Sequence, residues 1–170
     1  MLYLLDANTL IDAKRDYYPF RRIPEFWEWL EHQGTVENIK IPTEIYEEFE
    51  DAKRKDGSRD ELAEWAAHSD VRAALLFREE ADPELVAAVT IEGYGEDLSD
   101  MEIETIGRDP FLISYALADK KNRTIVTTEV SRPGKKRANR KIPDVCRDLE
   151  IRYINNFQLL NELDFRTSWK

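Results

Sequence analysis

Four carboxylates, Asp6, Glu48, Asp109 and Glu129, stand where their side chains could act together. Asp6 closes an apolar run from Leu2 to Leu5, Glu129 directly follows a second run from Thr124 to Thr127, and Asp109 opens a helical pattern just before Pro110. Glu48 follows Ile45 by three residues and precedes Ala52 by four, so it borders the apolar stripe of its helix. Acids gathered in one pocket repel by several kcal/mol at an effective dielectric of about 20, so such a cluster persists only with cations between its members. Oxygen-only ligands favour Mg²⁺ or Mn²⁺ over zinc. A carboxylate-held pair of these ions activates water and stabilises the leaving oxygen in phosphodiester hydrolysis. Each acid also has a plainer reading. Asp109 is a good helix N-cap, Asp6 an Asx turn, Glu48 a solvated residue in an acidic stretch, and Glu129 a partner for the basic residues nearby.

Other chemistries find no support. No glycine-rich loop with a lysine follows a strand, so a phosphate-cradling loop is absent, and Gly93-Tyr94-Gly95 is too short to replace one. His32 and His68 both lie in charged, helix-patterned segments, which leaves Cys146 and the serines without a base at a strand end. A single cysteine forms no internal disulfide, and the natural address is a reducing cytoplasm. A phosphatase with Asp6 as nucleophile would need a second aspartate two residues later, where this chain has Asn8.

A substrate clue follows Glu129. Arg132, Lys135, Lys136, Arg137, Arg140 and Lys141 supply six basic residues and no acid in ten positions, within a chain of net charge -10. The overall charge argues against a uniformly basic nucleic-acid coat, yet this run hangs beside the proposed acid cluster and could hold an RNA backbone there. The plainer reading is a flexible, solvated loop.

The elements that must position these groups form an alternating pattern. Apolar runs at Leu2 to Leu5, Ile39 to Ile41, Thr124 to Thr127 and Ile151 to Ile154 are each followed by turn residues and a helical stretch. That alternation predicts a parallel sheet with helices on both faces, its sites at the carboxyl ends of the strands. Helix starts are marked at Asp82-Pro83, at Ser99 with Glu102, and at Asp109-Pro110. The spacing predicts a helix over Thr43 to Lys53, and the dense charge from Glu47 to Asp56 reads as mostly a solvated helix face. Residues of about 57–100 read as a helical insert within one domain of residues 1–170, a length that suits a single core. The N-terminus is expected to be a buried strand and not a signal peptide or membrane span. Trp27 and Trp29 cannot share one helix face, so one of them is a candidate for a dimer or partner surface.

Taken in order, Leu4-Leu5-Asp6-Ala7-Asn8-Thr9-Leu10-Ile11, Pro42 to Phe49, Asp109 to Ala118 and Ile125-Val126-Thr127-Thr128-Glu129 resemble the motifs of PIN-domain nucleases. The chain is most similar to a PIN-like family of formerly uncharacterised bacterial and archaeal proteins, often read as toxins of type II toxin–antitoxin pairs. Lys141 to Cys146 and Asn156 to Leu160 also look like that family, and the likeness covers most of the chain outside roughly residues 55–100. The resemblance implies a three-layer α/β/α fold around a mostly parallel sheet, and Mg²⁺- or Mn²⁺-dependent endoribonuclease activity. Asp6, Glu48, Asp109 and Glu129 would be the catalytic, metal-holding acids, with Asn8 and Thr128 as polar support. The fourth position is glutamate where many PIN domains have aspartate. Glu44, one turn before Glu48, competes for the second position; Glu48 is favoured because it precedes Phe49. Implied partners are RNA, an antitoxin protein and a second copy of the chain, with no membrane. The rival reading is a non-catalytic PIN-like scaffold that binds a partner protein.

Overall fold

Five short strands pair in the order β3-β2-β1-β4-β5, all parallel: β1 (Leu2–Leu5), β2 (Ile39–Pro42), β3 (Leu76–Phe77), β4 (Arg123–Val126) and β5 (Tyr153–Ile154). The computed structural model describes residues 1–50, 52 and 57–170. β1 lies at the centre, with Tyr3 opposite Ile39 on one side and Thr124 on the other. A strand covered on both faces must be apolar throughout, which is why Tyr3, Leu4 and Leu5 form an unbroken run instead of alternating with polar residues.

Helices cover both faces, as the strand–helix alternation requires. They are α1 (Ala7–Asp12), α2 (Pro24–Thr35), α3 (Thr43–Glu50), α4 (Glu61–Ala66), α5 (Ser69–Leu75), α6 (Pro83–Val89), α7 (Asp100–Ile106), α8 (Asp109–Ala118), α9 (Ile142–Asp148) and α10 (Asn156–Glu162). Local chemistry sets several of their starts. Asp82 accepts from the Glu84 amide at 2.9 Å, and Ser99 and Glu102 form the expected reciprocal box. One apolar cluster joins the sheet to the helices, from Tyr3 and Leu4 through Trp29, Tyr46 and Leu112 to Leu159.

Some expectations change. The stretch of about 57–100 is not only a helical insert, because Leu76 and Phe77 pair with Ile41 and Pro42 and so supply an edge strand of the main sheet. Two residues carry too little pattern to announce a strand inside helical surroundings. β4 begins and ends one residue earlier than its apolar run, and β5 keeps only the last two residues of Ile151 to Ile154. Trp27 and Trp29 are both buried, so neither supplies a surface. Trp27 stacks on Phe20 while Trp29 packs with Phe26 and Phe165, since α2 is covered on two sides. α3 is described to Glu50 and Ala52 is not helical, short of the predicted end at Lys53; Asp51, Lys53, Arg54, Lys55 and Asp56, with their charges, lie outside the described residues. Among the described residues no helix is long and apolar enough to cross a membrane.

Candidate functional site

The strand order reverses direction between β1 and β4: the chain leaves β1 towards β2 on one side and leaves β4 towards β5 on the other. Such a divergence opens a crevice beyond the carboxyl ends of the two strands. The residues that follow them fill it. The Asp6 amide donates to the Val126 carbonyl at 2.9 Å, and the Thr9 hydroxyl donates to the same carbonyl at 3.0 Å, so the start of α1 is stitched to the end of β4.

Asp6 is 3% exposed. Its Oδ2 accepts from the Thr127 hydroxyl at 2.8 Å, and that hydroxyl in turn accepts from the Glu129 amide at 3.1 Å. Thr127 therefore ties the first and fourth acids together. Asp6 also draws on the Asn8 backbone amide, the contact of an Asx turn, so that plainer reading stands beside the Thr127 bond, although the Asp6 side chain forms no full capping bond to α1. Asp109 is no N-cap: Arg108 holds that position, and Asp109 is the first residue of α8. The Asp109 Oδ2 accepts instead from the buried Tyr94 hydroxyl at 3.3 Å. Tyr94 reaches it because α6 runs on into a wide turn over Thr90–Tyr94. That turn needs a bare backbone at Gly93, where an added Cβ would meet Val145 Cγ1 at 2.6 Å.

The acids perturb one another. Burial pushes the Asp6 carboxyl up to about 6, against the pull of Thr127 and Asn8, and the Glu129 charge adds to the rise. Glu48 is the more open of the group, yet partial loss of solvation and the Asp6 charge raise it to about 7, with Arg108 opposing. Asp109 is raised to about 8, first by burial and then by Asp6, Glu129 and Glu48. Asp6 and Asp109 are each electrostatic neighbours of the other three acids, so the four side chains, from separate parts of the chain, form one group around these two.

Glu44 belongs elsewhere. Its carboxylate accepts from the Tyr115 hydroxyl at 3.2 Å, and Glu47 pairs with Arg108 at 2.7 Å, which leaves Glu48 as the acid of α3 beside Asp6. Thr128 is not the supporting hydroxyl expected of it, for it donates to Asp12 Oδ2 at 2.6 Å; Thr127 takes that role. Asn8 does lie against the group, favouring the ionised form of Asp6 and bordering the same hollow as Asp109 and Glu129. Glu129 is engaged on both oxygens, by the Lys141 ammonium at 2.5 Å and the Ile142 amide at 2.9 Å. Among the described residues no three His, Cys, Asp or Glu side chains are gathered tightly enough to enclose an ion. The donors are nonetheless all oxygen, the chemistry that suits Mg²⁺ or Mn²⁺.

A hollow of about 400 Å³ is bordered on one side by Asn8, Asp109 and Glu129 and on the other by Arg132, Lys135, Arg140 and Lys141. The basic run is thus beside the acids, as its spacing predicts, but it is a folded strap and not a flexible loop. Ala138 is buried, and Arg137–Asn139 form one helical turn. Three of its six basic residues hold the strap down. Arg137 binds Glu102 at 2.5 Å and the carbonyls of Glu96 and Asp97, Arg140 binds the Gly93 carbonyl at 2.6 Å and pairs with Asp148, and Lys141 binds Glu129. Among the described residues Arg132, Lys135 and Lys136 form no ion pair and are exposed. Sequence reasoning missed Thr127, Tyr94 and Arg108. Thr127 was visible as a polar residue ending an apolar run, whereas nothing local marks Tyr94, which arrives through tertiary packing.

A family model described as a domain of unknown function, DUF4411, matches residues 3–167, and the chain belongs to that family. No curated protein and no solved structure matches it.

Proposed function

We propose that this member of the family is a PIN-like endoribonuclease that uses Mg²⁺ or Mn²⁺ to hydrolyse RNA phosphodiester bonds in the cytoplasm, as the toxin of a type II toxin–antitoxin pair. One observation carries the reading: four carboxylates from separate elements converge at the switch point of a parallel sheet, and burial and mutual repulsion lift three of them towards neutral pH. Structural acids are usually paired when buried, whereas Asp6, Glu48 and Asp109 have no ion pair among the described residues and only Glu129 has one, with Lys141; acids kept together in this way at a crevice point to a cationic ligand. Asp6 and Asp109 would be the central ligands, with Glu48 and Glu129 flanking them. When bound, such ions neutralise the scissile phosphate and lower the pKa of water. The chain itself supplies position. Thr127 fixes the carboxylate of Asp6, Tyr94 holds that of Asp109, and Arg132, Lys135 and Lys136 offer free cations to the phosphates on either side of the cut.

The test is cleavage of RNA by purified protein with Mg²⁺ or Mn²⁺, beside Asp6→Asn. Cleavage by the wild type alone is expected, and equal cleavage by both proteins would sink the assignment. The engagement of both Glu129 oxygens by the chain favours the second reading, a scaffold that binds a partner protein without metal. Calorimetric titration with Mn²⁺ separates the two, because a scaffold shows no binding at millimolar metal. The antitoxin is a partner with basic or amphipathic elements suited to the acidic surface, and recovery of only free protein from its native host would count against it.

A further inference from the structure

Glu129 stands between two hollows. One holds the acids and the basic strap. The other, of about 550 Å³, lies beyond the carboxyl ends of β4 and β5, and Glu129 borders it as well. Its character is different. Tyr17, Val130, Tyr153 and Phe157 all line it and are all exposed, a concentration of apolar side chains that a soluble surface ordinarily avoids. Tyr17 and Phe157 meet edge to face, with ring centroids 5.3 Å apart and planes at 81°, so they form one corner with two aromatic walls. Asn156 also lines the hollow. It is 8% exposed, and its Nδ2 donates to the Thr9 carbonyl at 3.3 Å. That bond fixes which way the amide points, and the Oδ1 is left with no hydrogen-bond partner among the described residues. A buried acceptor without a donor is uncommon in a folded protein and calls for an explanation.

We propose that this hollow is a nucleobase subsite: an unpaired base of the RNA stacks in the Tyr17–Phe157 corner, one step along the strand from the phosphate held at the acids, and presents an exocyclic amino group to Asn156 Oδ1, which is closed to solvent in the free protein and meets the base when that side chain turns to it. The inference rests on the endoribonuclease reading for the identity of the polymer. A base fits the chemistry better than a phosphate does. The rim carries Asp12, Asp16 and Glu129, and its one arginine, Arg15, is already paired with Asp12 and Asp16 at 2.6 Å, so a neutral ring is admitted where an anion is repelled. Aromatic walls accept any base by its face. The lone acceptor adds selection, because only a base that donates can satisfy it.

The experiment measures binding without catalysis. Anisotropy of a labelled eight-nucleotide oligoadenylate is recorded with the full-length protein in EDTA, for the wild type, Phe157→Ala and Asn156→Leu. Single-nucleotide replacements, abasic or purine lacking the amino group, are introduced at each position in turn. Phe157 is 51% exposed, and its replacement should leave the fold intact. Phe157→Ala is expected to weaken binding by roughly 10-fold or more. At one position the abasic replacement should cost the wild type as much while costing Phe157→Ala nothing further. At that position the wild type should prefer adenine to the amine-free purine, and Asn156→Leu should lose that preference. Equal affinity of wild type and Phe157→Ala would overturn the subsite. So would equal losses for abasic RNA in both proteins, or an effect of Phe157→Ala confined to self-association or to capture of a peptide. Because no metal is present, a nuclease that fails to cut can still show the subsite, and an active nuclease can still lack it.

Discussion

Lys40 in β2 and Asp6 at the end of β1 are both almost wholly withdrawn from water, at 5% and 3% exposed, yet their surroundings differ in kind. The Lys40 ammonium donates to the Gly34 carbonyl at 3.0 Å and the Ala74 carbonyl at 2.7 Å, and pairs with Glu37 at 2.9 Å. Three acceptors for three donors satisfy it completely, and two of them lie in the last turns of α2 and α5, where the helix dipoles favour a cation. Asp6 has one hydroxyl, the polar groups of Asn8, and three acids as neighbours in the same crevice. The first arrangement is a staple that completes the fold. The second stays electrostatically incomplete within the chain's own residues, which is the condition of a site that awaits a ligand.

Substitution should separate the two regions by readout. Asp6→Asn keeps the shape and the Thr127 contact but removes a charge; RNA cleavage is expected to fall by about 1,000-fold or more, roughly 4 kcal/mol of barrier, while thermal stability holds or rises. Lys40→Met does the reverse. It takes the ammonium from the Ala74 carbonyl and from the Gly34 carbonyl, which keeps only the Glu37 amide at 3.2 Å, and should cost about 1–3 kcal/mol of stability in urea, with cleavage per folded molecule unchanged. A loss of activity in Lys40→Met that exceeds its unfolded fraction would erase the distinction.

Proton linkage sharpens the comparison further. Asp6, Glu48 and Asp109 have folded values of about 6, 7 and 8, all above ordinary carboxylate values, so the folded state binds more protons than the unfolded state between roughly pH 4 and 8. Stability from these groups is therefore fully present below the unfolded values and is lost as pH rises through the folded ones. Metal-free protein should show a thermal midpoint that falls between pH 5 and 8, at up to about 1.4 kcal/mol per pH unit for each proton released. Asp109→Asn should flatten the curve and raise the midpoint at pH 8 by roughly 3 °C. Below about pH 4 the sign reverses, because Asp144 and Glu162, held down by hydrogen bonds and arginines, must then take up protons. A midpoint that is flat from pH 5 to 8 in EDTA would mean that neither burial nor mutual repulsion raises these acids.

The two regions were also unequally legible in the sequence. Asp6, Asp109 and Glu129 could be placed because each adjoins a strongly patterned element, and strand ends in a parallel sheet all face one edge. The helical period does not separate Glu48 from Glu44, which lie one turn apart on one face; only the Phe49 that follows Glu48 and the packed stripe it borders favour it, and Tyr115 binding Glu44 supplies the physical reason. Lys40 could not be foreseen as a staple, since its acceptors come from residues 34 and 74 and depend on how two helices end against one strand. β3 was hidden for the same reason: two residues become a strand only because β2 offers them an edge. The split of the basic run into anchors and free cations likewise depends on Glu102, Gly93 and Asp148, which the sequence separates from it by up to 47 residues.

The smallest effect tests the finest point of the comparison, the choice between adjacent threonines. Thr127 bridges Asp6 Oδ2 and the Glu129 amide inside the crevice, whereas Thr128 donates outward to Asp12. Thr127→Val preserves shape and removes only the hydroxyl, leaving the Glu129 amide without an acceptor and Asp6 without the bond that most favours its ionised form. It should cost about 1 kcal/mol of stability at pH 7 and shift the Asp6 titration upward, so that Mn²⁺ binding measured by calorimetry weakens most at pH 6 and recovers towards pH 8. Thr128→Val should change stability by less than about 0.5 kcal/mol and leave the pH dependence of metal binding in place. If the two variants behave alike, Thr127 is only a packing residue, and the orientation of Asp6 must come from its backbone bond to Val126 and from Asn8.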